Sequence, residues 1–160
     1  MSATPVTTLV VDDESMVRTL VRRMLEPEVC AVVEAESGES ALRLIEQGEL
    51  AIDLVLTDLV MPGIDGFDLV QVLSRHRPDL PVVCMSGFAA PSSRRLTVPL
   101  VRKPFTLESL RSALAPVLAA GRLGRTAGGG ATHGIGGNGV DLVAEALGLR
   151  RRRAEPPDPS

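Results

Sequence analysis

Leu54-Val55-Leu56-Thr57-Asp58, followed at once by Leu59-Val60-Met61-Pro62-Gly63-Ile64-Asp65-Gly66, is the stretch on which the fold turns. An apolar run of strand length ends on a lone carboxylate. A loop carrying proline and two glycines follows, and then Phe67, Leu69, Val70, Val72 and Leu73 recur at helical spacing until just before Pro78. A strand is predicted over 52–57 and a helix after Gly66.

The same unit repeats on either side. Thr8-Leu9-Val10-Val11 runs into Asp12 and Asp13, and Met16, Val17, Leu20, Val21, Met24 and Leu25 then mark a helix that Ser15 is expected to cap and Pro27 to end. A strand over 29–33 leads to a helix over 38–47, with Ala41, Leu42, Leu44 and Ile45 on its apolar side and Gly48 closing it. A fourth strand is predicted over 81–85 and a fifth over 98–102. Between Ser86 and Lys103 only a short helix, near 91–96, fits beside Pro91 and Pro99. The last helix is capped by Thr106, has Glu108 in its first turn, and carries Leu107, Leu110, Leu114 and Leu118 as a stripe. Continuous apolar strands separated by helices predict an α/β, doubly wound, five-stranded parallel sheet with a shortened fourth helix.

The chain has 160 residues, 44% of them hydrophobic, so a core of Val, Leu, Ile and Ala is available; aromatics make up only 2%, all phenylalanine. No apolar run approaches the roughly 18 residues of a membrane span. Met1-Ser2-Ala3-Thr4-Pro5 lacks an export signal, so a cytoplasmic location is expected. Cys30 and Cys84 sit in apolar runs and read as reduced core residues. Residues 1–120 carry 11 basic and 16 acidic groups, which argues against a nucleic-acid surface. The folded unit is expected to span 6–120. Residues 121–160, rich in Gly, Arg and Pro, read as a flexible, disordered tail whose removal leaves the fold intact, with a short helix near 140–149. His76, between Arg75 and Arg77, reads as solvated, as does the Arg150–Arg153 run.

Asp12, Asp13, Asp58, Ser86 and Lys103 all follow strands, at the rim where open parallel sheets bind ligands. Lys103 is the only lysine; the other sixteen basic residues are arginine. Three carboxylates on one rim repel one another unless a cation neutralises them, and an all-oxygen set suits Mg²⁺. A carboxylate can also act as a nucleophile toward phosphorus.

Val10-Val11-Asp12-Asp13-Glu14, Thr57 through Gly66, Met85-Ser86-Gly87 and Lys103-Pro104-Phe105 together resemble the receiver domain of two-component response regulators, over about residues 6–119. The resemblance implies a phosphoacceptor at Asp58. It implies Mg²⁺ held by Asp13, Asp58 and the backbone carbonyl of Val60, with Asp12 acting through water. Ser86 would be the switch hydroxyl and Lys103 the phosphate contact, with a cis peptide before Pro104. Pro62 and Gly66 would shape the loop.

The implied partners are a sensor histidine kinase or histidine phosphotransfer protein and a downstream protein target. No DNA-binding domain is visible. Receivers usually carry an aromatic three residues before the lysine; here that residue is Leu100. The abbreviated segment before it resembles receivers of hybrid kinases. Phe88 is expected to shield the site. A phosphatase with an aspartyl nucleophile commonly has a second carboxylate two residues on, where this chain has Val60. A phosphorylation-independent docking module is the remaining alternative.

Overall fold

The computed structural model describes residues 6–28, 30–87, 94–126 and 141–154. The elements run β1 (Val6–Val11), α1 (Ser15–Leu25), a 3-10 turn (Glu26–Glu28), β2 (Cys30–Ala35), α2 (Gly38–Gln47), β3 (Leu54–Asp58), α3 (Gly66–His76), β4 (Val82–Ser86), β5 (Leu100–Arg102), α4 (Leu107–Thr126) and α5 (Leu142–Ala154). The strands form one parallel sheet in the order β2-β1-β3-β4-β5. The chain order reverses between β1 and β3, so their carboxyl ends flank the crevice where such sheets bind ligands.

Side-chain alternation sends the strands' apolar residues to both faces. Leu9, Val11, Val55, Val82 and Cys84 join α2, α3 and α5 in one core. Val10, Leu54, Leu56, Val83, Met85 and Val101 meet α1 and α4 in the other. Phe67 lies in the first core and Phe105 packs against the second. Two layers of helix therefore bury the central strands β1, β3 and β4, while the edge strands β2 and β5 stay partly exposed.

Local signals set several element ends. Ser37 and Ser40 form a reciprocal capping box at α2, and Gly48 closes that helix at φ 66°. Asp65 and Asp68 do the same at the start of α3, and Thr106 with Ser109 at the start of α4. Ser15 does not cap α1. Glu14 holds that position without a side-chain capping bond, and its backbone N–H donates to Asp12 Oδ1. Met16 and Leu20 of α1 are exposed, so its buried face is narrower than its apolar spacing.

The short helix expected near 140–149 is present as α5, but it is part of the packed domain where a flexible tail was expected. α4 continues to Thr126, and α5 lays Leu142 and Ala146, both fully buried, into the core beside α2 and α3. The Glu145 carboxylate meets Arg75 and His76 of α3, so His76 is half-buried and paired, contrary to its solvated reading. The apolar run 142–149 found a partner face more than sixty residues away in sequence. Residues 94–99 are not helical; 91–93, in the expected fourth helix, lie outside the described residues, as do Phe88, residues 127–140 and the side chains of Arg150–Arg153.

Candidate functional site

The rim residues come together. β1 delivers Asp12 and Asp13, β3 ends on Asp58, β4 on Ser86, and Lys103 follows β5. The ladder continues past the strands to hold them: Asp12 N–H donates to the Ala35 carbonyl at 3.2 Å, Leu59 N–H to Met85 at 2.9 Å and Lys103 N–H to Ser86 at 2.8 Å. Oxygens of Asp12, Asp13 and Asp58 lie within 4.8 Å of one another. Asp12, Asp58 and Ser86 are buried, and Asp13 is exposed.

Asp12 is fully engaged. Its Oδ1 accepts from the Glu14 N–H at 2.9 Å and its Oδ2 from Lys103 Nζ at 2.9 Å. Arg18 donates to its backbone carbonyl at 2.6 Å and reaches Glu34. Lys103 Nζ also stands 3.5 Å from Asp58 Oδ1. Burial pushes the Asp58 carboxyl above the usual range; the Lys103 charge opposes this, and the Asp12 charge adds to it. The backbone N–H of Val60 also donates to Asp58 and favours its ionised form. Burial depresses the Lys103 ammonium, but its bond to Asp12 and the charges of both aspartates leave it raised overall. Lysine thus stays charged, while burial, more than any neighbour, raises Asp58. Burial likewise pushes the Cys84 thiol up to about 12, making it an inert core residue.

The donor set fits a hard divalent cation: oxygen only, three carboxylates, one side open to water at Asp13. The Lys103–Pro104 peptide is cis. Pro62 is exposed at the loop tip, and Gly63 has φ 76°. Gly66 N–H closes the loop on the Leu59 carbonyl at 3.0 Å. Leu100 packs at the edge of the core.

Two residues that sequence reasoning passed over hold this loop. Glu39 of α2 accepts from the Ile64 N–H at 3.1 Å. Arg94 donates to Asp65 at 2.7 Å and to Asp68 at 3.2 Å. Neither has a local signature; only the packing of α2 against α3 and the course of the β4–β5 segment bring them there.

The chain belongs to the response regulator receiver domain family, whose model matches residues 8–115. It is 34% identical over 117 residues to the sensor kinase CckA of Brucella abortus (strain 2308), covering 70% of this chain and 12% of that one. The chain spans between 11% and 24% of the length of three curated relatives it matches. Among solved structures, a response regulator receiver domain protein from Clostridium thermocellum superposes with a TM-score of 0.68 at 27% identity, covering 74% of this chain and 98% of that one. The receiver domain of the hybrid histidine kinase CckA superposes with a TM-score of 0.60 at 32% identity, covering 70% of this chain and 98% of that one. The matched region stops short of α5. No helix among the described residues is long and apolar enough to cross a membrane.

Proposed function

We propose that this receiver accepts a phosphoryl group on Asp58 from a phosphohistidine of a sensor kinase or histidine phosphotransfer protein, and passes the signal on through a protein partner. The observation that carries this is the convergence of Asp12, Asp13 and Asp58 beside Lys103, the chain's one lysine. Asp58 Oδ attacks phosphorus as the bond to the donor imidazole breaks, and the electron pair of that bond returns to the imidazole nitrogen. Lys103 balances charge on the transferred oxygens, and the Ser86 hydroxyl donates to one of them.

Asp13, Asp58 and the Val60 carbonyl would hold Mg²⁺, which supplies electrostatic stabilisation of the phosphoryl oxygens when bound. Asp12, with both oxygens occupied, fits contact through water. The protein then acts only on itself and turns over no external substrate. Val60 stands where a phosphatase of this chemistry carries its general acid. Resemblance to the CckA kinase favours a phosphorelay as the setting.

The test is intact mass and peptide mapping after incubation with acetyl phosphate and Mg²⁺, beside Asp58→Asn and an EDTA control. One phosphoryl group on the wild type, absent from both controls, is expected. No added mass, together with no beryllofluoride-dependent amide shifts at the rim, overturns the reading.

A further inference from the structure

Arg94 lies in the segment joining β4 to β5, and its guanidinium closes on the start of α3. One nitrogen donates to Asp65 Oδ2 at 2.7 Å, another to Asp68 Oδ1 at 3.2 Å, and its central carbon sits 4.3 Å from the centroid of the Phe67 ring. The remaining oxygens of the two carboxylates form the capping box: Asp65 Oδ1 accepts from Asp68 N–H and Asp68 Oδ2 from Asp65 N–H. Each acid therefore bonds its helix through one oxygen and Arg94 through the other, whatever else it touches. The planar fork matches this arrangement and also stacks on the ring, a combination lysine does not reproduce.

The start of α3 is welded to the phosphoacceptor. Gly66 N–H bonds the Leu59 carbonyl, and Gly66 lies against the Asp58 backbone so closely that a Cβ would stand 2.4 Å from its carbonyl oxygen. Nine residues on, just past β5, Lys103 is bonded to Asp12 and stands 3.5 Å from Asp58. The ten residues 94–103 are thus anchored twice, once to the carboxylates and once to the helix that follows them. Leu100, within that segment, is aliphatic and offers no hydrogen bond to Ser86.

We propose that Arg94 is the positioning residue through which the state of Asp58 reaches the β4–β5 segment, a latch closed on Asp65 and Asp68 in the unmodified protein and displaced when Asp58 carries a phosphoryl group. The inference rests on Asp58 being the phosphoacceptor. New charge on Asp58 gives Lys103 a stronger partner; β5 moves with it, and the second anchor yields. One guanidinium bridges both carboxylates, so a single displacement opens both contacts and the population can shift as a unit.

The test is amide and arginine side-chain NMR of the full chain, with and without beryllofluoride and Mg²⁺, on wild type, Arg94→Ala and Arg94→Lys. In wild type the Arg94 Nη–H signals should leave their paired positions, and amides of 66–68 and 94–102 should move together with those of 57–59. In both variants the 57–59 shifts should persist, while those of 94–102 shrink about threefold or more, because the segment is already released. Unmoved Arg94 Nη–H signals in wild type, or full shifts at 94–102 in the variants, overturn the latch and leave a static staple. Absence of shifts at 57–59 in wild type removes the Asp58 reading and the latch with it.

Discussion

Gly66 and Asp58 are in backbone contact: a Cβ on Gly66 would fall 2.4 Å from the Asp58 carbonyl oxygen and 2.8 Å from the Leu59 Cα. Its φ lies outside the left-handed region, so closeness rather than backbone freedom makes glycine necessary here. The approach lets a loop of seven residues return α3 directly beneath the carboxylate.

Gly66→Ala should therefore push α3 away from Asp58 and cost about 1–3 kcal/mol, as overpacking does. The urea midpoint should fall, and phosphoryl uptake from acetyl phosphate should slow. Unchanged uptake would mean that the loop does not position the carboxylate.

Asp13→Ala should weaken Mg²⁺ binding by about tenfold more than Asp12→Ala, because both Asp12 oxygens are already engaged by Glu14 N–H and Lys103. Titration calorimetry on the two variants decides it; equal losses would place Asp12 directly on the metal.

Leu142 is fully buried against the α2–α3 side of the core, so Leu142→Ala should cost about 2–5 kcal/mol. Ending the chain after Thr126 should lower the melting temperature by several degrees and expose apolar surface to a hydrophobic dye. A truncated protein with the melting point of the full chain would show that α5 adds nothing to the domain.

Asp68 is raised from 3.8 to about 6, chiefly by burial and then by the Asp65 charge. A carboxyl that binds its proton more tightly in the folded state lends stability that is fully present below pH 3.8 and is lost as pH rises through about 6. Urea midpoints measured across that window should fall with pH in wild type and fall less in Asp68→Asn. Parallel profiles would show that Asp68 ionises in the fold as it does in the unfolded chain.

The alternation of strand and helix, the helix of 38–47 with its glycine stop, and the rim positions of Asp12, Asp13, Asp58, Ser86 and Lys103 were all legible in the residues, because apolar period, turn chemistry and strand ends are local properties. The face each helix covers was less so. Met16 and Leu20 follow the same spacing as buried Val21 and Leu25, yet they stand in solvent.

Tertiary structure alone decided the rest. Arg94 reaching Asp65 and Asp68, Glu39 reaching Ile64, and α5 burying Leu142 and Ala146 against α2 and α3 are contacts between residues 25 to more than 60 positions apart. No periodicity encodes such pairs. They exist because the parallel sheet, wound β2-β1-β3-β4-β5, brings distant segments together on one face, where opposite charge and apolar surface find each other.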